Sequence, residues 1–307
     1  MRGLFFVVLY SFFASASPAE EAISFESGED GVDVYFGARK LAEFVHTTSP
    51  AGRPFLSNLQ TLDGIQVTRN YPVKDGDQSD HPHHQGLFHT FSQVNGIDYW
   101  HMRGITKHLR FLREPQVGTK TGFVVSNAYL AKDLKTSLLS ETISYEFVVT
   151  ELGLLILLDA VIKAEQEGVI LGSKEEGGLA VRMSSDLCVE TGATMLDDQG
   201  RRGGAAIWGK TARWVDNSGV KNGRWVGVTL MTHPGNGRLY HWHARDYGLL
   251  TANPLGPLNT APDRILKAGD SMRFRYAVMV HSSQTREQYS PVAAQAVYQR
   301  YTSTQTQ

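Results

Sequence analysis

Apolar and polar residues alternate with a period of two through much of this chain. Ile143, Tyr145, Phe147 and Val149 interleave with Thr142, Ser144, Glu146 and Val148. Glu151-Leu152-Gly153 then turns the chain into an apolar run over 154–164, which predicts an antiparallel hairpin. Met272, Phe274, Tyr276, Val278 and Val280 repeat the pattern, with Arg273 and Arg275 on the opposite face. Further strands are predicted at 31–36, 40–45, 122–130, 178–189, 225–232 and 249–253. Helical periodicity is scarce. The clearest helix starts with Ser290 as N-cap and Pro291 in the first turn and runs toward Tyr301. Many short-spaced strands joined by glycine-rich turns predict an all-β protein. Its antiparallel sheets would form a large sandwich or a wide barrel, with a short C-terminal helix.

Composition refines this picture. With 307 residues, 30 glycines and 11 prolines, the chain can bury a large core and make many turns, and we expect one β domain over 20–307. A formal net charge of -1 gives no basic footprint for nucleic acid or an acidic membrane surface. Arg2, the apolar stretch 4–13 and Ala14-Ser15-Ala16 read as a cleavable export signal over 1–19, placing the mature protein in the periplasm or outside the cell. That stretch, like 154–164 with its Asp159 and Lys163, is shorter than the roughly 20 residues a bilayer-spanning helix needs. No transmembrane segment is therefore expected after cleavage. Cys188 stands alone, so no intrachain disulfide can form; a buried thiol in a strand is expected.

Chemistry concentrates in three places. The first is Asp80-His81-Pro82-His83-His84-Gln85-Gly86-Leu87-Phe88-His89, with four of the eleven histidines. Imidazoles at this density suit proton transfer, hydrogen bonding to a ligand, or metal ligation, with Asp80 or His89 as a further ligand or orienting group. The spacing matches no established zinc signature, so a metal is left open. Just downstream, Val94-Asn95-Gly96-Ile97-Asp98-Tyr99-Trp100-His101 joins a hairpin turn to aromatics that could stack on a sugar ring or fill the core. The second concentration is Lys174-Glu175-Glu176-Gly177-Gly178-Leu179-Ala180-Val181-Arg182, which places two carboxylates on a glycine-rich loop before a strand. The third is Tyr240-His241-Trp242-His243-Ala244-Arg245-Asp246-Tyr247-Gly248, in which an extended backbone puts His241, His243 and Arg245 on one face and Trp242 and Asp246 on the other. A structural Arg245–Asp246 pair is the alternative there.

Together these segments predict a non-local acid–base site with His83, His84, Glu176 and His243 as proton carriers. Arg69, Arg182 and Arg245 would orient hydroxyls or a carboxylate, with Arg53 a further anchor candidate. Trp100 and Trp242 would stack on a ring, and His81, Asp246 and Asn253 would complete the binding set. The expected ligand is a small molecule or an oligosaccharide. An exported carbohydrate-active enzyme is the first reading. A non-catalytic carbohydrate-binding module and a histidine-ligated metalloenzyme are the alternatives.

The same segments resemble the PmoA-like family, often labelled methane oxygenase PmoA. The matching stretches are RPFLSNLQTLDGIQVTRNYP from Arg53, DHPHHQGLF from Asp80, VNGIDYW from Val94, KEEGGLAVR from Lys174, ARWVDNSG from Ala212 and HWHARDYGLLTANPLG from His241. Two departures stand out: Gln85 follows the HPHH run where the family usually has arginine, and Phe91-Ser92-Gln93 replaces its usual His-Gly-Asp. The resemblance implies an exported bacterial β protein similar to the galactose-mutarotase-like supersandwich and associated with carbohydrate use. It maps family motif positions onto His81, His83, His84, Glu176, Arg182, Trp242, His243, Arg245 and Asp246, without assigned roles. A membrane oxygenase subunit, as the family label would have it, needs spanning helices that this sequence does not offer.

Overall fold

The alternating runs become strands in the computed structural model, which describes residues 22–46, 52–256 and 262–303. The expected export signal lies outside the described residues. Gly31–Phe36, Gly122–Leu130 and Leu249–Asn253 have the predicted bounds, and Arg39–Val45 and Arg224–Thr232 each begin one residue earlier than predicted. The hairpin joins Ser137–Thr150 to Gly153–Ala164 with Thr150 opposite Gly153 and Val149 opposite Leu154.

One expected strand is shorter. The predicted run 178–189 is a strand only as Gly177–Arg182, after which Ser185–Leu187 and Val189–Thr191 form single 3₁₀ turns. Ser184-Ser185-Asp186 supplies turn chemistry that outweighs the apolar residues around it. Cys188 is accordingly buried between two turns, outside any strand, with its thiol 3.1 Å from the Tyr247 carbonyl oxygen.

Two large antiparallel sheets form a sandwich. One has nine strands, in the order Ile23–Ser27, Gly31–Phe36, Arg39–Val45, Phe55–Ser57, Leu87–Phe91, Gly177–Arg182, Leu249–Asn253, Tyr240–Arg245 and Thr211–Ala212. The other has eight: Thr194–Asp197, Trp214–Lys221, Arg224–Thr232, Ser271–Ser283, Gly153–Ala164, Ser137–Thr150, Gly122–Leu130 and Thr106–Gln116. The inward faces merge in one apolar core, where Phe44 meets Phe123 and Tyr145 at ring-centroid distances of 5.0 and 5.4 Å and Phe91 meets Phe274 at 5.7 Å. A small four-stranded sheet includes the hairpin Gln93–Val94/Ile97–Asp98, whose Asn95-Gly96 turn has both φ angles positive, as a tight two-residue hairpin requires.

Each outer face carries a smaller cluster. On the eight-stranded sheet the helix Pro291–Ser303 packs Ala294, Val297 and Tyr298 against Trp214, Met231 and Met279. Ser290 caps it by accepting the Ala293 N–H at 3.4 Å. On the nine-stranded sheet, Val45, Phe55, Phe88, Trp100, Ala180 and Leu249 form an apolar floor. The histidine-rich segment lies over that floor.

Candidate functional site

Buried arginines build the histidine turn. Arg53 donates to the carbonyls of Tyr99 and Trp100 at 3.0 and 3.1 Å and to the His83 carbonyl. Its guanidinium lies 4.3 Å from the Phe88 ring centroid, and burial draws its pKa down to about 9. Arg69 donates to the His81 carbonyl at 3.0 Å and to that of Gln78. Arg182 grips both oxygens of Asp80 at 2.8 and 3.1 Å, donates to Gln78 Oε1 at 3.1 Å, and lies 4.7 Å from the Tyr247 ring centroid. The backbone inside this frame is bent: His81 has φ +43°, and the His84 N–H closes on the His81 carbonyl at 2.9 Å. Gly86 (φ +74°) then returns the chain to the sheet, where a Cβ would sit 2.4 Å from the Leu56 carbonyl oxygen. Only glycine fits that position.

The turn holds its imidazoles ring to ring. His84 meets His83 at 4.3 Å between centroids, and His81 lies nearly parallel to His84 at 5.0 Å and to Tyr247 at 4.7 Å. Beneath them, Trp100 presents an edge to His84 at 5.6 Å and to His243 at 6.5 Å. His101, from the loop after Ile97–Asp98, lies 4.5 Å from His83. Burial, reinforced by His101 and Arg53, lowers the pKa of His83 to about 3. Burial lowers His243 to about 3 and His84 further still, so all three rings are neutral at physiological pH. Nε2 of His83, both ring nitrogens of His84 and Nδ1 of His243 find no hydrogen-bond partner within the protein among the described residues.

Neighbouring strands of the same sheet supply the other side. Gly178, with φ +85°, would carry a Cβ 2.2 Å from the Ala252 carbonyl oxygen. Its close approach brings the Glu175-Glu176 loop against the Leu249–Asn253 strand. Asn253 ties that loop down: its amide donates to the Lys174 carbonyl at 2.7 Å, and its Oδ1 accepts the N–H groups of Leu255 and Gly256 at 2.8 and 3.0 Å. Glu175 lies 3.5 Å from the Arg245 guanidinium and 3.8 Å from Nδ1 of His243. Glu176 accepts the Ser92 hydroxyl at its main-chain oxygen (2.7 Å). Burial raises the pKa of its carboxyl, with Glu175 and Asp98 acting in the same direction and His101 and Arg245 opposing.

His81, His83, His84, Glu176, His243 and Arg245 are therefore brought together, and several roles expected from the sequence change. Arg69 and Arg182 are spent on carbonyls and on Asp80, so they fix the turn and do not reach out to a ligand carboxylate. Trp242 points into the core, with its indole N–H donating to the Ala212 carbonyl at 3.1 Å. Strand alternation put it on the face opposite His243, and that face is the interior. Trp100 is fully buried as part of the floor, which leaves no open face for stacking. Asp246 accepts the Gly204 N–H at 2.6 Å and secures a loop, and Arg245 takes Glu175 as its partner. Asn253 positions the carboxylate loop.

His89 leaves the cluster altogether. One strand register carries it to the core side, where its Nδ1 meets Glu141 at 2.7 Å. Asn127 and Tyr129 also donate to that carboxylate, at 2.9 and 3.2 Å. Among the described residues no three His, Cys, Asp or Glu side chains converge as a metal-binding group requires. The imidazoles of the turn meet through their faces and edges.

Four contributors, Glu175, Tyr247, Asp98 and His101, stand in the segments named from the sequence but carry no site role there. Glu175 was hidden by its neighbour, and Tyr247 by the Arg-Asp pair before it. The Asp98-x-x-His101 spacing was a readable signal: Asp98 accepts the His101 backbone N–H and faces its Nδ1, both at 2.9 Å.

Residues 31–294 match the family of unknown function DUF6807, and the chain belongs to that family. No match is found among curated proteins. In shape the chain is similar to a candidate aldose 1-epimerase from Escherichia coli K12, with 11% identity, 85% of this chain and 99% of that one covered, and a TM-score of 0.43. It is also similar to a Synechocystis sp. PCC 6803 protein (10% identity, 89% and 100% covered, TM-score 0.37). A third is a galactose mutarotase-like protein from Lactobacillus casei ATCC 334 (8% identity, 85% and 100% covered, TM-score 0.34). No helix among the described residues is long and apolar enough to cross a membrane.

Proposed function

We propose that this protein binds a small hydroxyl-rich molecule, a sugar or glycoside, on the outer face of its nine-stranded sheet and carries out acid–base chemistry on it. One observation carries this reading. A carboxyl with a raised pKa, Glu176, shares a site with three imidazoles kept neutral by burial, His83, His84 and His243. A neutral imidazole offers one N–H and one bare nitrogen, which suits a hydroxyl that both donates and accepts. A carboxyl that holds its proton to higher pH is suited to protonating a hemiacetal or glycosidic oxygen. Arg245, one-third exposed beside Glu175, is the guanidinium within reach of a ligand.

The test is a panel of reducing monosaccharides, aryl glycosides and oligosaccharides, followed by proton NMR for anomer exchange, cleavage or elimination. Turnover of at least one member that falls about 100-fold or more in Glu176→Gln is expected. An inactive panel would remove the reading. One observation favours a binding module instead: imidazoles with a pKa of about 3, as for His83 and His243, are weak bases at neutral pH. In that case ligands bind without reacting, and His84→Ala weakens binding alone. The proposal includes export, supported by the N-terminal sequence, and N-terminal sequencing of the mature protein checks it; an uncleaved start at Met1 would overturn it.

A further inference from the structure

We propose that His101, oriented by Asp98, accepts the proton in this site, and that Glu176 donates one. This assignment rests on the acid–base reading above and moves the base away from the three buried histidines. Two histidines of the site are exposed with a carboxylate on Nδ1. They are His81 with Asp80 at 2.5 Å and His101 with Asp98 at 2.9 Å, with the rings 42% and 40% exposed. Three differences decide between them.

Asp80 is shared. Both its oxygens are held by Arg182, and Arg69 lies 3.9 Å away, so Asp80 divides its charge between two guanidiniums and His81. Asp98 has no arginine or lysine at ion-pair distance among the described residues, and it holds His101 at two points, the backbone N–H and the ring. The rings are also covered differently. His81 is stacked face-on with Tyr247 and His84, whereas His101 has one ring neighbour in the site, the tilted His83. Finally, His101 is among the strongest electrostatic influences on the Glu176 carboxyl, and His81 is not.

The support beneath His101 is rigid. Arg53 clamps the Tyr99 and Trp100 carbonyls that precede it, and the Asn95-Gly96 hairpin fixes Asp98. With Asp98 accepting from Nδ1–H, the neutral ring presents Nε2 without a proton. A carboxylate that fixes the tautomer in this way prepares an imidazole as a general base. In the step, His101 Nε2 takes a proton from a substrate hydroxyl while Glu176 gives its proton to a second substrate oxygen. The pair ends as imidazolium and carboxylate, and the total charge of site and substrate is unchanged. His83, His84 and His243 then serve as neutral hydrogen-bonding groups that position the substrate.

Steady-state kinetics on the most active sugar of the panel, joined to ¹⁵N NMR of the imidazole rings in the full chain, tests the assignment. His101→Ala should lower kcat about 100-fold or more with KM within about threefold, and Asp98→Ala should lower kcat in the same sense. His84→Ala should raise KM more than it lowers kcat. The ring signal lost in His101→Ala should show the Nδ1–H tautomer in the wild type and the Nε2–H tautomer in Asp98→Ala. Turnover that survives His101→Ala, or a kcat loss that follows His81→Ala instead, overturns the assignment and leaves the acid–base reading standing. A panel with no turnover removes both.

Discussion

Arg182 and Asp80, 102 positions apart in the chain, form a bidentate pair that joins the Gly177–Arg182 strand to the start of the histidine turn. The guanidinium is 1% exposed and the carboxylate 36%, so the pair is sealed on the sheet side and wet on the other. Lysine cannot reproduce the two parallel N–H bonds or the packing on Tyr247. Arg182→Lys is expected to cost about 1–3 kcal/mol, the range for leaving a buried polar group partly unsatisfied. It should weaken ligand binding by more than the stability loss alone explains. Urea denaturation and ligand titration of the same preparation check this, and a variant matching wild type in both would show that the pair does not hold the turn.

The same pair sets an acid limit on stability. Although partial burial alone would raise the Asp80 pKa, hydrogen bonds from Arg182 and His81 and the charges of Arg182 and Arg69 lower it from 3.8 to about 2. A carboxyl whose pKa falls on folding stabilises the native state above its unfolded pKa, and this contribution disappears as pH drops from about 3.8 through about 2. Asp80→Asn should therefore be less stable than wild type at pH 5 and 7, with the gap closing between pH 4 and 2. Denaturation midpoints at four or five pH values give the curve. A gap constant down to pH 2 would mean that the carboxylate charge is not what binds the turn.

Sequence periodicity revealed the strands because burial on one face of a sheet leaves a repeat of two, and it went further than secondary structure. It placed His241, His243 and Arg245 together and Trp242 opposite, as the Tyr240–Arg245 strand has them. It cannot show which face is interior, so Trp242 reads as a ring-stacking candidate although it belongs to the core. Residue type misled in a related way. Arg69 and Arg182 were candidates because arginine binds anions, but whether a guanidinium is free depends on which carbonyls and carboxylates the fold brings to it. Those partners, Gln78, Asp80 and His81, became visible only in three dimensions. Asp98 and His101 were within reach of sequence reasoning through their spacing alone.

Glu176 carries a stability cost with the opposite pH sense. Burial raises its pKa above 4.5, so ionising it opposes folding, and the penalty sets in as pH rises from about 4.5 through the folded-state value. Glu176→Gln keeps the shape and removes the charge. The variant should be more stable than wild type at pH 7 and 8 and level with it at pH 4, while losing activity. Thermal melts across that range decide the matter. A variant less stable than wild type at pH 8 would mean that the carboxylate is stabilised as the anion and is not poised as an acid.

His89 offers a control inside the histidine segment itself. It follows His84 by five residues, yet it and Glu141 are each 1% exposed on the core side of the sheet. Glu141 accepts from Asn127 and Tyr129 and pairs with His89, so truncating it strands three polar groups in the interior. Glu141→Ala is expected to cost several kcal/mol, at about 1–3 kcal/mol for each buried polar group left without a partner. The fraction that remains folded should bind and turn over ligand as wild type does, because the sheet separates this network from the Trp100 floor. Denaturation gives the first quantity, and kinetics normalised to folded protein the second. A folded variant with altered KM or kcat would place His89 back in the functional cluster and require coupling through the Leu87–Phe91 strand.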